Sequence, residues 1–355
     1  MLLLNQFVDQ RIGGQMSRIS VLMPVYNHPS YVGLAIESIL SQSFDDFEFL
    51  LMDDGSQEET RSILQEYSKR DSRIRLYLRP HRGICATRNE LLAEASSTFV
   101  AWIDCDDVAT PDRLGRQIEV ISRDKDLWVL GTAVTMIDER GRQLRTIRPV
   151  QGADEVARQM MRACKVAQSS SMMRREPILA LGGYRAAYET TEDYDLFLRI
   201  SERAKLDNID FVGLHMRSHS ERASAKHSIY QAALANMAQA THVRRVAGLS
   251  DPTDMLKEPP ALFDDPILDD LLGDTITIYR VLKCVEEWTG DPAAHLETLV
   301  NSNIQRKQRS AFQRAIVDLV RRRPLDLMSV KAILIAATMG PGRLIQQFWA
   351  WQPQQ

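Results

Sequence analysis

Cysteine is scarce in this chain, and long apolar runs are missing. The four cysteines are scattered and no two form a CxxC pair, so the sequence predicts neither a disulfide framework nor a zinc site. The best candidate for a membrane span, residues 332–339, is far shorter than the ~20 apolar residues that a spanning helix needs. Polar side chains from Asn5 onward interrupt the apolar start, so we expect no secretory signal and a cytoplasmic location.

An excess of positive charge is missing as well. The net charge of −3 gives no argument for nucleic-acid binding, and no nucleic-acid partner is expected. No GxGxxG follows a predicted strand, which argues against a Rossmann dehydrogenase. The hydrophobic share of 44% is that of an ordinary globular protein, and 355 residues suffice for two domains.

The first two thirds of the chain alternate strand and helix patterns. This alternation predicts an α/β fold with a mainly parallel sheet, followed by further strands in a less regular order. Beyond about residue 225 the pattern is helical throughout. The predicted strands begin at Ile19 and continue at residues 47–52, 74–78, 98–103, 128–131, 133–137, 143–147 and 169–173.

Three carboxylates directly follow the apolar run 98–103. Side chains alternate along an extended backbone, so Asp104 and Asp106 can point the same way. Ligands of α/β sheets bind at the carboxyl ends of strands, and paired carboxylates suit Mg²⁺ or Mn²⁺ that also bridges phosphate oxygens. The alternative is a solvated turn in which Asp107 or Asp112 caps the next helix.

Two other acidic pairs stand at ends of predicted elements. Asp53 and Asp54 end the second strand, and a plain turn with an aspartate cap is the alternative there. Glu192 and Asp193 precede an amphipathic helix, where acids also favour the helix dipole. That structural alternative fits Glu192 better than Asp193.

Together with residues 83–89 and 111–114, these segments resemble the inverting, non-processive family 2 glycosyltransferases of the GT-A fold, of the type that builds bacterial surface polysaccharides. The resemblance covers roughly residues 18–225. It implies a nucleoside diphosphate sugar as donor, with UDP favoured, a glycan or lipid-linked acceptor, and Mn²⁺ or Mg²⁺ as cofactor. The expected organisation is an N-terminal tail (1–17), a GT-A domain (18–225) with mixed strands on its acceptor side, and a helical C-terminal accessory region (226–355).

The resemblance also implies roles for single residues. Asp193 matches the catalytic base, and Asp106 matches the metal ligand, with Asp104 contacting ribose or metal. A surface salt bridge is the alternative for Arg88. Donor binding is implied for Pro24, Tyr26, Asp54, Arg88, Asp104, Arg217 and His219.

The chain departs from the family pattern at three of these motifs. Cys105 stands where alanine is more frequent, Met216 replaces a common tyrosine before Arg217, and Gln168 stands where many relatives have histidine. The last two departures leave the phosphate-side and acceptor-side details open.

Two other functions compete with glycosyl transfer. A nucleotidyltransferase usually opens with a glycine-rich phosphate loop and a lysine, and residues 24–27 contain neither. A nucleotide-sugar-binding subunit without catalysis would not need Asp193, so the presence of this residue favours an enzyme. The absence of a Gln-x-x-Arg-Trp element argues against a processive polymerase.

The C-terminal third is split by charge. Residues 251–300 carry 12 acidic and 3 basic side chains, whereas residues 301–355 carry 9 basic and 2 acidic ones. One alternative is that these helices pack on the catalytic domain or on a second copy in a homo-oligomer. The other is a peripheral contact of the basic, tryptophan-containing end with the inner face of the plasma membrane. The basic helix has an apolar stripe of Phe312, Ile316, Leu319 and Val320.

Overall fold

The structure, a computed structural model, describes residues 18–219, 228–262 and 265–273 together with Ile276. The predicted tail of residues 1–17 and the predicted basic helix around Phe312 lie outside the described residues. By its contacts the chain divides into two compact units, residues 1–222 and 223–355. Each unit is taken by itself below.

The first unit is built from nine described strands and seven described α-helices. The strands are β1 (Ile19–Val25), β2 (Phe47–Asp54), β3 (Ile74–Arg79), β4 (Phe99–Trp102), β5 (Val108–Ala109), β6 (Leu127–Ile137), β7 (Gln143–Ile147), β8 (Met172–Arg174) and β9 (Lys205–Arg217). The helices are α1 (Pro29–Leu40), α2 (Glu58–Arg70), α3 (Ile84–Glu94), α4 (Arg113–Ile121), α5 (Ala153–Met160), α6 (Arg175–Ala180) and α7 (Glu192–Ser201).

All nine strands join one sheet in the order β3-β2-β1-β4-β8-β6-β9-β5, with β7 paired to β6. The first four strands of this order are parallel, so their carboxyl ends lie at one edge. From β8 onward the sheet is mixed, because β8 is antiparallel to both β4 and β6 while β6 and β9 are parallel. The predicted α/β class with a mainly parallel sheet and mixed later strands is confirmed.

The core lies on both faces of β1 and β2. Every residue of β1 is buried, as expected for a parallel strand covered by helices on both sides. Helix α1 contributes four apolar residues at helical spacing that are all fully buried, Val32, Ala35, Ile36 and Ile39. Pro24 lies in β1 beyond the last pair with β4, Leu22 with Trp102, and a residue without an amide hydrogen is tolerated there.

The structure differs from the sequence prediction in the later strands. The segments predicted as separate strands at 128–131 and 133–137 form the single strand β6, because Thr132 is also buried and paired with β9. The predicted strand 169–173 is a 3-10 turn at Gln168–Ser170 followed by the short β8. Strand β9 has no counterpart in the prediction.

In the second unit the described residues form two helices. These are α8 (Ser228–Val246) and α9 (Pro266–Leu272), and the Tyr230 hydroxyl donates to the Pro260 carbonyl at 2.7 Å. The helical character predicted beyond residue 225 therefore holds for these two segments, whereas residues 247–262 form turns and irregular chain. The domain boundaries themselves stay a prediction.

The turn after β2 depends on a glycine that touches the loop after β3. Gly55 has a φ of +82°, and a Cβ added to it would lie 2.7 Å from the backbone nitrogen of His81. Gly141 has the same φ of +82° but nothing within 4 Å of an added Cβ. Substitutions at the two glycines therefore allow the cost of the backbone conformation to be distinguished from the cost of the contact with His81.

We expect Gly55→Ala to destabilise the protein more than Gly141→Ala, because only the first substitution also forces the loop at His81 to move. A strained backbone position costs about 1–3 kcal/mol, which both variants share. Urea unfolding of the two variants and of wild type measures the difference. Equal loss of unfolding free energy in both variants would show that the contact with His81 does not matter.

Candidate active site

The carboxyl ends of β1, β2 and β3 form the first part of the site. The Tyr26 ring stacks on the His81 ring, with centroids 4.3 Å apart and an interplanar angle of 24°. Asp54 is buried, and its two carboxylate oxygens accept from the backbone amides of Arg82 at 2.8 Å and Gly83 at 3.0 Å. The His81 Nδ1 also lies 2.9 Å from Asp54 Oδ2. Asp54 therefore fixes the loop that carries His81 beneath Tyr26.

Asp53, the neighbour of Asp54, has a structural role. Its fully buried carboxylate accepts from the Ser56 amide at 3.0 Å and pairs with Arg61 Nε at 3.4 Å. Asn27 joins this turn to the end of β1: its amide donates to Ser56 Oγ at 3.0 Å and its side chain accepts from the Gln57 amide at 2.8 Å. The two loops that carry Tyr26 and Asp54 are thus held together.

The acidic motif after β4 forms the second part of the site, and its carboxylates differ in exposure. The Asp104 side chain is 32% exposed and that of Asp106 is 11% exposed, whereas Asp107 is fully buried. Asp107 Oδ1 accepts from the backbone amide of Arg217 at 2.9 Å. Asp107 therefore holds the end of β9 against the motif, and Asp104 and Asp106 are the carboxylates that a ligand can reach.

Arg217 and His219 come to the acidic motif from the end of β9. Arg217 is buried, and its guanidinium donates to the backbone carbonyls of Asp106, Asp138 and Glu139 at 3.0–3.2 Å. The His219 Nε2 lies 2.8 Å from Asp106 Oδ2. Arg217 thus positions backbone, while His219 shares a site with Asp106.

Arg88 connects the acidic motif to the pair at the start of α7. Its guanidinium is 7% exposed, pairs with Glu192 Oε1 through Nη1, and lies 3.3 Å from Asp104 Oδ1 through Nη2. Burial lowers the pKa of Arg88, but the carboxylates of Glu192 and Asp104 raise it above its ordinary value. The alternative of a surface salt bridge is wrong, because this ion pair is buried.

Glu192 and Asp193 occupy the first turn of α7 and have different surroundings. Burial raises the pKa of Glu192 to about 7, although Arg88 opposes the rise. Burial also raises the pKa of Asp193, which is half-buried. Asp193 Oδ1 accepts from the Tyr194 amide at 2.7 Å, and Oδ2 takes part in no hydrogen bond within the described part of the chain. Asp193 therefore has an oxygen available to take a proton.

The turn that delivers this pair is strained. Thr190 has a φ of +81°, which is unusual for a β-branched residue. The next residue, Thr191, is held by its amide, which donates to the Tyr188 carbonyl at 2.7 Å. Such a conformation costs about 1–3 kcal/mol and is concentrated at functional sites. It sets where α7 begins, and so where Glu192 meets Arg88.

A second buried arginine lies beneath the acidic motif. Arg113 is fully buried, and its Nη2 donates to the Trp102 carbonyl at 2.6 Å while its Nε donates to Gln117 Oε1 at 3.1 Å. Burial lowers its pKa to about 10, against the raising effect of Asp107 and Asp104. Its charge therefore offsets part of the negative charge of the motif from below.

The predicted site residues thus fall into two groups. Tyr26 and Asp54 lie together at the ends of β1 and β2, whereas Arg88, Asp104, Asp106, Arg217 and His219 form a connected set that also includes Glu192. Pro24, for which donor binding is predicted, is buried within β1. Asp193 adjoins the second group through Glu192.

Sequence reasoning missed two features of these groups. His81 was not singled out, although its place between Pro80 and the Arg82-Gly83 turn at the end of β3 is the same kind of position as that of Asp54. The partnership of Arg88 with Glu192 was also missed, because the two residues are 104 positions apart.

The side chains around Asp106 suit a hard divalent cation whose coordination is completed by phosphate oxygens. Across residues 18–219 and the shorter described stretches, no group of three or more His, Cys, Asp or Glu side chains is gathered for an ion. Mg²⁺ in proteins is usually bound by one or two carboxylates plus substrate phosphates, and Asp106 with the adjacent His219 fits such a partial site.

None of the described helices is both long and apolar enough to cross a membrane.

Comparisons with known proteins show what this chain is similar to. The model of glycosyl transferase family 2 matches residues 20–182. An uncharacterized glycosyltransferase of Methanocaldococcus jannaschii is 30% identical over 204 residues, which are 56% of this chain and 70% of the relative. The O-antigen biosynthesis glycosyltransferase WbnJ of Escherichia coli is 28% identical over 207 residues, 57% of this chain and 80% of the relative.

Solved structures show the same fold. The crystal structure of residues 1–349 of S. aureus TarS in complex with UDP-GlcNAc is 16% identical and has a TM-score of 0.55. The alignment covers 95% of this chain and 93% of that one. The same fragment in complex with UDP gives a TM-score of 0.53. The architecture is therefore the GT-A fold.

The raised pKa of Glu192 makes stability depend on pH. An unfolded glutamate titrates near 4.5, and in the folded protein the pKa is about 7, so between these values the folded state binds more protons. The stabilising contribution is present in full below the unfolded pKa and is lost as the pH rises through the folded one. We expect the stability of wild type relative to Glu192→Gln to fall between pH ~5 and pH ~8.

Urea unfolding at several pH values measures this difference. Glu119→Gln, which changes an exposed side chain of α4, is the matched control, and its stability relative to wild type should not show the same fall. If the Glu192→Gln difference were flat across the same range, burial would not set the protonation of Glu192.

Proposed function

The chain belongs to glycosyl transferase family 2 and is an enzyme that transfers glycosyl groups, and on that premise we propose a metal-dependent inverting reaction with Asp193 as general base. One sugar passes from a nucleoside diphosphate sugar, with UDP as the nucleotide, to a glycan or lipid-linked acceptor of surface-polysaccharide synthesis. The observation that carries the proposal is the buried Arg88, which holds Asp104 and Glu192 in one site.

The nucleotide assignment rests on the ends of β1 and β2. Tyr26 is 45% exposed and offers a ring on which a base can stack, and Asp54 lies at the adjoining strand end. TarS of S. aureus, which shares the fold, binds UDP and UDP-GlcNAc. Both facts support a UDP-sugar as donor, with the base at Tyr26 and Asp54.

The metal assignment rests on Asp106 and His219. We propose that these two residues hold Mn²⁺ or Mg²⁺, with Asp104 close to the ribose or the ion. A bound cation would neutralise the negative charge that develops on the diphosphate as it departs. The three carboxylates of the motif would otherwise repel that diphosphate, and Arg217 is occupied by backbone carbonyls.

The base assignment rests on the surroundings of Asp193. As the acceptor hydroxyl oxygen forms its bond to C1 of the sugar, its proton passes to the carboxylate of Asp193, and the bond from C1 to the diphosphate oxygen breaks. One displacement inverts the anomeric configuration. A raised pKa makes Asp193 a stronger base than an ordinary aspartate, and Oδ2 is available for the proton.

The metal proposal predicts that Asp106→Ala abolishes Mn²⁺-dependent binding of UDP, because it removes the charged ligand. His219→Ala should weaken it by roughly 10–100-fold, as loss of one group around a metal site does. Calorimetric titration of UDP with Mn²⁺ and with EDTA measures both effects. Asp210→Ala, which removes an exposed aspartate paired with Arg148, is the control. UDP binding that ignores EDTA and both site variants contradicts the metal assignment.

The base proposal predicts that Asp193→Asn lowers turnover by roughly 10²–10⁴-fold, the usual contribution of a general base. Donor affinity should change little, because the base acts in the transition state. Steady-state kinetics, calorimetry with UDP-sugar and NMR of the product anomer test the scheme. Glu192→Gln should reduce turnover less. Near-normal turnover of Asp193→Asn removes this residue from the mechanism, and a retained configuration removes the single displacement.

Two further assignments go with this function. Residues 226–355 are proposed as an accessory region, because every residue assigned above precedes it. Peripheral contact with the inner face of the plasma membrane would bring the enzyme to a lipid-linked acceptor, and a homo-oligomer formed through the C-terminal helices is the alternative use of that region.

A further inference from the structure

Gln168 lies beside the acidic motif, and its amide is satisfied at one end only. The residue is 6% exposed, and its Nε2 donates to the Tyr184 hydroxyl at 2.6 Å. Its Oε1 is buried and accepts no hydrogen bond from any described residue. Buried polar atoms in native proteins nearly always have a partner, so this oxygen points to a group from outside the chain.

The surroundings of Gln168 contain a second group of this kind. The Trp102 ring meets the Tyr184 ring edge to face, with centroids 5.6 Å apart, and Trp102 is 1% exposed. Its indole Nε1, a hydrogen-bond donor, also has no partner in the described part of the chain. A sugar hydroxyl both donates and accepts, so an unpaired acceptor and an unpaired donor around Tyr184 match its chemistry.

Backbone contacts place Gln168 next to the reacting groups. The next residue, Ser169, accepts through its hydroxyl from the Asp104 amide at 2.9 Å. The Arg88 guanidinium carbon lies 5.5 Å from the centre of the Tyr184 ring and connects Asp104 to Glu192. Gln168 therefore adjoins the site between the proposed diphosphate position and Asp193, where the transferred sugar belongs.

Tyr184 is itself held firmly. Its amide donates to Asn89 Oδ1 at 2.8 Å, and its carbonyl accepts from Asn89 Nδ2 at 2.7 Å. Its ring is 2% exposed. Because Tyr184 is fixed at backbone and ring, the amide of Gln168 is held in one orientation, which is what selection between sugar epimers requires.

We propose that Gln168 determines sugar specificity: its Oε1 accepts a hydrogen bond from a hydroxyl of the transferred sugar, and Tyr184 is the positioning residue. The inference rests on the proposed function and names the sugar-recognising residue of that same site. A site that bonds a hydroxyl discriminates against a donor that lacks it or carries it in the other configuration, because the buried acceptor then stays unpaired.

The test compares nucleotide with nucleotide sugar. Dissociation constants for UDP, UDP-glucose, UDP-galactose and UDP-GlcNAc are measured with Mn²⁺ for wild type, Gln168→Leu and Tyr184→Phe. Gln143→Leu, at an exposed glutamine of β7, is the matched control. Thermal unfolding of each variant establishes that it is folded.

We expect Gln168→Leu to leave UDP affinity unchanged and to weaken the preferred UDP-sugar roughly tenfold, the effect of one lost hydrogen bond. The preference among the three sugars should shrink with it. Tyr184→Phe should also lower the affinity for the preferred UDP-sugar and the preference among the sugars, but by less. Gln143→Leu should change neither the affinity nor the preference.

Three results overturn the inference, and they differ from one another. If the folded Gln168→Leu variant changes UDP and UDP-sugar affinity by the same factor, or changes neither, the amide is satisfied by water and does not read the sugar. If the preference among sugars persists unchanged, another residue sets it. If wild type binds none of the four compounds, the proposed function itself fails.

Discussion

The ion pairs of Arg88 are the interaction on which the site depends. This one buried guanidinium joins Asp104, which follows the central strand β4, to Glu192, which begins α7. Removing one partner from a buried ion pair leaves an uncompensated charge and costs about 3–5 kcal/mol. Helix α3, which carries Arg88, starts directly after Gly83, whose amide is bound by Asp54. The proposed nucleotide position at Asp54 and the proposed base beside Glu192 are therefore linked through one helix.

Three buried arginines next to the acidic motif, Arg88, Arg113 and Arg217, bind different kinds of partner. Arg88 binds carboxylates, whereas Arg113 and Arg217 bind backbone carbonyls at the ends of β4 and in the motif itself. Their charge offsets the buried acids from below and behind. Asp104 and Asp106 keep the only accessible carboxylate oxygens of the motif, which directly follows the end of the parallel strand β4. A diphosphate that approached these oxygens would meet negative charge, which is the physical reason for proposing a cation between them.

The sequence predicted the parallel half of the fold and named most of the residues that the structure brings together in the candidate site, because both depend on local patterns. Apolar runs that end in acids locate strand ends, and helical spacing located α1. The sequence did not predict strand β9, because Asp207, Asn208 and Asp210 interrupt its apolar pattern. Asn208 is nevertheless buried, because its side-chain amide donates to the carbonyls of Val150 and Lys165. These partners are distant in the sequence and are seen only in the folded structure. The stack of Tyr26 on His81 and the hydrogen bond from the Gln168 amide to Tyr184 likewise depend on contacts between separate elements, which no local pattern can report.

Adjacent carboxylates acquire different tasks from the helix that carries them. Successive residues of an α-helix point about 100° apart, so Glu192 and Asp193 cannot face the same partner. Glu192 is turned to Arg88, and burial raises its pKa to about 7. Asp193 is half-buried, has a raised pKa, and retains an oxygen outside the described hydrogen bonds. When two neighbouring acids have such different surroundings, one can stabilise the structure while the other exchanges protons. This division supports Asp193, and not its neighbour, as the base.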